Sequence, residues 1–199
     1  MIRKLPLLPT LVVGVAVAIM IALGFWQLRR AEEKDALLAR YRAAQNLPPI
    51  SFPTAPIHSD RVPLFRYSTG VCLRPVSKRS TAGQNRRGEP GYVHIVECST
   101  GAEGPGMSVE VGWSRNPNVA IDWRGGLVSG IIAPDRKTRM RLVAASAPPG
   151  LEPSAPPSIE RIPNNHRSYA LQWFLFALIA AVIYVLALRK KLKDEAKKP

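Results

Sequence analysis

An imidazole, a phenol, an amide and an indole crowd into one stretch, Pro163-Asn164-Asn165-His166-Arg167-Ser168-Tyr169-Ala170-Leu171-Gln172-Trp173-Phe174. His166 has the most chemistry to offer, because a neutral imidazole can ligate a metal, including the axial position of a haem iron. The bland alternative is an interfacial histidine whose polar atoms are simply satisfied. Asn164 or Asn165 can cap a helix starting here, with Pro163 just before it, and the macrodipole at that end disfavours a cationic ring. The stretch leads into 21 uncharged residues, Ser168–Leu188. Polar groups beside hydrocarbon are expensive unless they have partners or a task. His58, in a proline-rich arm, and His94, in a strand-like stretch, have no sequence neighbours that suggest chemistry.

Catalytic constellations do not stand out. There is no Ser/His/Asp or Cys/His order, no phosphate-cradling glycine motif and no paired carboxylates on a recognisable face. Gly101–Gly106 reads as a turn, so the expectation is that the chain is not an enzyme.

Positioning these side chains falls to two apolar runs. Leu5–Leu28 is free of charge for 24 residues and Ser168–Leu188 for 21, and about 20 helical residues cross a bilayer core. A signal peptide would have an apolar core of only about 7–15 residues. Lys4 to Gln27 is 23 steps, and so is Arg189 back to His166. At about 1.5 Å per step, Gln27 and His166 lie at one depth, with Trp26 and Trp173 close to it, where interfacial aromatics belong. His166, Ala170, Trp173, Ala177, Ala180 and Tyr184 form one stripe at helical spacing, bordered by Tyr169. Gly14, Ala18 and Ala22 form a small-residue row on the first helix. Such faces can pack closely, or leave a slot for something flat.

The chain carries 28 Lys and Arg against 14 Asp and Glu, a formal charge of +14. The excess is scattered along the long loop and the two ends, and no recognition motif accompanies it, which speaks against nucleic acid. Acidic lipid or protein surfaces are the better partners. Arg3 and Lys4 precede the first run, and Arg189, Lys190, Lys191, Lys193, Lys197 and Lys198 follow the second. Short basic flanks stay cytoplasmic, so both termini are expected inside and the long loop outside. Arg29, Arg30, Lys34, Arg40 and Arg42 oppose that vote, but long loops cross largely regardless of charge. Cys72 and Cys98 fall in this loop. They can pair in an oxidising compartment, or serve as two small buried apolar residues.

The expected organisation is a cytoplasmic N-terminus (1–4), a first transmembrane helix (5–28) and its helical extension (29–46). A proline-rich arm (47–63), a β domain (64–147) and a proline-rich linker (148–165) follow. A second transmembrane helix (166–188) and a basic tail (189–199) complete the chain. Residues 29–44 lack Gly and Pro and favour helix. Strands are predicted at Phe65–Arg74, Gly91–Ser99, Met107–Trp113, Leu127–Ala133 and Met140–Ala145, with Ser77–Pro90 as a mobile loop. The fold class is therefore membrane α+β: two transmembrane helices flanking an exported antiparallel β domain, barrel- or sandwich-like.

Two stretches stand out together: Leu23-Gly24-Phe25-Trp26-Gln27-Leu28-Arg29-Arg30-Ala31-Glu32-Glu33-Lys34, and Asn164-Asn165-His166 with Tyr169-Ala170 and Gln172-Trp173-Phe174. In these the chain resembles the surfeit locus proteins that assist assembly of cytochrome c oxidase. Pro90-Gly91-Tyr92, Gly112-Trp113 and Gly150-Leu151-Glu152-Pro153 are weaker matches, and the arginine that the family places before the Gly-Trp element is absent here. The resemblance implies a bacterial inner-membrane assembly factor for haem-copper oxidase subunit I, similar to haem A binding members. It makes His166 the candidate iron ligand, with Trp26, Gln27, Tyr169 and Trp173 positioning a porphyrin or the partner's helices. Two other readings stand beside it: an interaction chaperone that holds oxidase subunits without cofactor, and an exported binding domain tethered by two helices.

Overall fold

The computed structural model describes residues 6–101 and 106–196. Arg3, Lys4, Lys197, Lys198 and most of the Gly101–Gly106 turn lie outside them. The chain forms two compact units, Met1–Leu37 with Pro163–Pro199, and Leu38–Ile162.

The first unit is a pair of helices. Helix α1 runs without a break over Leu7–Gln45, and α2 over His166–Ala196. Both are long and apolar enough to cross a membrane. Leu7, Leu11, Val15 and Ile19 on α1, and Leu171, Leu178, Ile179 and Ile183 on α2, point away from the protein. Such a continuous apolar exterior suits lipid and not water. On α1 the shielded stripe is Thr10, Val13, Val17, Met20, Gly24, Gln27 and Ala31, at steps of three and four. The Gly14–Ala18–Ala22 row sits one position round, on the exposed side, and a Cβ at Gly14 would meet nothing within 4 Å. That row is therefore not the packing face. The glycine the interface uses is Gly24, whose added Cβ would lie 2.5 Å from the Phe174 ring. Phe25 also meets Phe174 edge-on at 5.4 Å. On α2 the stripe from His166 to Tyr184 is the shielded one.

The second unit is built on seven strands. These are β1 Ile50–Ser51, β2 Tyr67–Cys72, β3 Arg74–Gln84, β4 Pro90–Ser99, β5 Met107–Ser114, β6 Gly126–Asp135 and β7 Arg139–Ala144, in the sheet order β1-β2-β6-β7-β5-β4-β3. The antiparallel, barrel-like expectation needs correction on two counts. The sheet is mixed, since β1 runs parallel to β2, and β7 slots in parallel beside β5 through Val109↔Leu142 and Glu110↔Val143. It is also open, with β1 and β3 as its edges. The Ser77–Pro90 segment is likewise no loop over most of its length. It continues β3, paired with β4 from Arg74↔Ser99 to Gln84↔Pro90. This edge strand is exposed on both faces, so no alternation of apolar residues announced it. The proline-rich arm contains one short 3-10 turn, Ser59–Arg61.

Although the ladder is open, one end is fastened. Only Leu73 separates β2 from β3, so the chain swings from one side of the sheet to the other. There Cys72 on β2 is disulfide-bonded to Cys98 on β4, with Cα atoms 5.2 Å apart. Three strands intervene between β2 and β4 in the ladder, so the sheet must curl strongly for that bond to close. Phe52, Cys72, Val96, Cys98, Met107, Val109, Val111, Val128, Ile132 and Leu142 fill the concave core.

Strand alternation sends the other side chains of β5 to the opposite face. Ser108 and Glu110 join a charged network there. Arg141 Nε donates to Glu110 Oε2 at 2.6 Å, Arg79 Nη2 donates to both Asp135 oxygens at 2.8 Å, and Ser108 donates to Glu97. Burial opposes the charge on Asp135. The Arg79 hydrogen bond and those from Thr138 outweigh it and hold the carboxyl well below the usual carboxylate range.

Candidate functional site

The polar corner of the sequence is a bonded cluster at one end of the helix pair. Gln27 Oε1 lies 2.8 Å from His166 Nδ1. A carbonyl oxygen only accepts, so this bond places the ring proton on Nδ1 and leaves the lone pair on Nε2. Asp35 ties down the residues on either side. Its Oδ1 accepts from Asn164 Nδ2 at 2.7 Å and its Oδ2 from Arg167 Nη2 at 2.8 Å. Asn164 thus gives its amide to Asp35 and not to the helix N-terminus, where the Asn165 carbonyl accepts from the Tyr169 N–H. At the opposite end the Thr10 and Tyr184 hydroxyls bond each other. Thr10 and Gln27 are 17 residues apart, and His166 and Tyr184 are 18, so the antiparallel helices are clipped at matching heights.

Of the five residues singled out, His166 and Gln27 are in direct contact. Trp26 and Tyr169 flank them, 48% and 50% exposed. Trp173 lies two turns along the His166 stripe, half-buried, with its ring edge-on to Phe176. Asp35 and Arg167 escaped the sequence reading. Asp35 looks like one more charge on a polar helix, and the available signal was its position two turns beyond Gln27.

The weaker motifs converge in the β unit. Gly91 faces the Trp113 ring, which a Cβ there would approach to 2.5 Å. Trp113 exchanges two backbone hydrogen bonds with Glu152, at 2.7 and 2.9 Å. The Glu152 carboxylate accepts from Asn85 and Arg87. The Gly-Tyr, Gly-Trp and Leu-Glu-Pro elements therefore form one structural knot.

His94 also has more neighbours than its sequence context suggested. It is buried between Ser80 Oγ, 2.9 Å from Nδ1, and Ser114 Oγ, 2.8 Å from Nε2. The two hydroxyls also face the Pro117 and Asn116 carbonyls, each at 2.7 Å. Burial, with the Lys78 charge behind it, pushes the His94 pKa below its ordinary 6.5. The unfolded chain then binds the proton more readily, so this contribution to stability is present above about pH 6.5 and is lost as the pH falls below it. Thermal unfolding of the detergent-solubilised chain should shift to lower temperature between about pH 7.5 and about pH 5, and His94→Gln should flatten the slope. An unchanged slope in the variant would assign the effect to other groups.

Two long apolar helices flanking a curled mixed β sheet, with a histidine–amide pair where the helices meet, describe a β domain carried by candidate membrane helices. The SURF1 family model matches residues 14–178, a span that includes both helix motifs and the whole sheet, and the chain belongs to that family. It is a family of cytochrome oxidase assembly factors rather than of enzymes. A SURF1-like protein of Rickettsia conorii is 27% identical, over 89% of this chain and 90% of its own length. One from Rickettsia felis is 28% identical, over 88% and 95%.

Proposed function

We propose that this assembly factor handles haem A during maturation of oxidase subunit I, with His166 as the iron ligand. The carrying observation is the Gln27–His166 bond, which presents an imidazole whose Nε2 takes no hydrogen bond among the described residues. Metal-ligating histidines characteristically donate their other nitrogen in this way, fixing tautomer and ring plane. Haem A, when bound, would supply an iron that such a nitrogen donor can ligate, and His166 would be the residue that holds it. Trp26 and Tyr169 offer exposed aromatic surface beside His166, and the half-buried Trp173 lies two turns along the His166 stripe. Asp35 hydrogen-bonds Asn164 and Arg167 on either side of His166 at the start of α2.

The reading includes an orientation: both helices cross the bacterial inner membrane, the termini are cytoplasmic and the β domain is periplasmic. The basic tail Arg189-Lys190-Lys191 supports it, as does a disulfide, which persists in an oxidising compartment.

The test is the absorption spectrum of the protein purified from cells that make haem A. The expected result is a haem A signature at a fixed ratio to protein. A haem-free preparation from cells whose oxidase still depends on the factor would sink cofactor handling. It would favour a chaperone that holds subunit I by contact alone, a role the outward Phe25, Leu175 and Phe176 side chains suit.

A further inference from the structure

A second site lies in the β unit, independent of His166. The proline-rich arm leans over the start of β7 and encloses a cavity of about 400 Å³ that opens to solvent. Its lining is mainly apolar, with Phe52, Ile57 and Met140 among the walls, while Lys137 and Arg139 stand at the rim. Among the described residues, no carboxylate pairs with either cation. Arg139 donates to the Ile57 carbonyl at 3.1 Å, which ties the arm to the turn. Its backbone is left-handed, φ +67°, a conformation that costs a non-glycine residue energy and persists where surroundings impose it. Asp135, the nearest acid in sequence, is committed to Arg79 and to the turn's own N–H groups.

An apolar hole with positive charge at its mouth that no carboxylate among the described residues answers selects a ligand of matching pattern: an alkyl body with one anionic head. The volume is at the low end of small-molecule sites, which run from about 300 to about 1,000 Å³. It suits one chain and not the two of a phospholipid. We infer that the cavity between the proline-rich arm and β7 binds a single-tailed anionic amphiphile of the long-chain carboxylate class, head at Lys137 and Arg139, tail against Phe52 and Met140.

The experiment uses the full chain in nanodiscs and a palmitate analogue carrying a photoactivatable diazirine, with cross-linked peptides mapped by mass spectrometry. Label is expected on the arm or on the Lys137–Met140 turn, and palmitate should compete at least ten times better than hexadecanol. Lys137→Glu should cut labelling about fivefold or more. Ala55→Trp, which fills the cavity from the arm, should abolish it while leaving the melting temperature unchanged. Label confined to α1 and α2 would mean simple partition into the bilayer and would overturn the proposal, as would equal competition by the alcohol. Neither result bears on haem A, since His166 takes no part.

Discussion

His166→Ala is expected to strip haem A from the purified protein, and Gln27→Leu to weaken its retention by about 10- to 100-fold, the usual loss when the group orienting a metal-bound histidine is removed. The two variants ask different things. Alanine deletes the donor atom. Leucine keeps the shape of residue 27 but removes the oxygen 2.8 Å from Nδ1, so the ring is free to rotate and to move its proton to Nε2. Gln27→Glu retains an acceptor and should hold haem better than leucine does. The readouts are the haem-to-protein ratio and the Soret position, with far-UV circular dichroism confirming that the helices persist. Wild-type retention in Gln27→Leu would show that Gln27 does not set the ligand. Asp35→Asn is the companion variant: it keeps the contact to Asn164 within reach but neutralises the charge facing Arg167, and should have the smaller effect because that pair is largely exposed.

Asp135→Asn should be among the most damaging single changes in the β unit, destabilising it by about 3–5 kcal/mol. The Asp135 side chain is 3% exposed and accepts from Arg79, Thr138 and Arg141. An amide in its place leaves two guanidinium groups leaning on Glu97 and Glu110 alone. Breaking one partner of a buried pair costs more than removing both. The double variant Arg79→Met with Asp135→Leu should therefore recover much of the loss in urea unfolding. No recovery would mean that Asp135 acts chiefly through the turn it caps, where it accepts from the Lys137 and Thr138 N–H groups.

How much of this was legible in the sequence depends on whether a signal was local. The two helices were, because uncharged runs of that length admit few other readings. The meeting of Gln27 and His166 was legible by counting steps from basic residues, since helical rise is constant. Strands β4 to β7 were found within a few residues because glycine- or proline-bearing turns bound each of their apolar stretches. β3 was missed because an edge strand exposed on both faces has no period to read; it is a strand only because β4 supplies the ladder. The parallel pairing of β5 with β7 rests on four residues drawn together from distant parts of the chain, and nothing local encodes it. The small-residue row at Gly14 misled for a related reason: spacing identifies a face but not which face turns inward. That was decided by Gly24, where an aromatic ring needed the space.

The Cys72–Cys98 bond also says something about the order in which the domain can be built. Both cysteines precede, in the chain, all three of the strands that lie between β2 and β4 in the finished sheet. A chain emerging N-terminus first can therefore join its two thiols on a fragment that ends at Ser99. Strands β5, β6 and β7 then arrive to fill a gap whose width is already set at one end. On that order, loop closure, the slow and entropically costly part of pairing distant strands, can be completed by a covalent bond before the last strands are made. The bond would then serve as a former on which the rest of the sheet is wound.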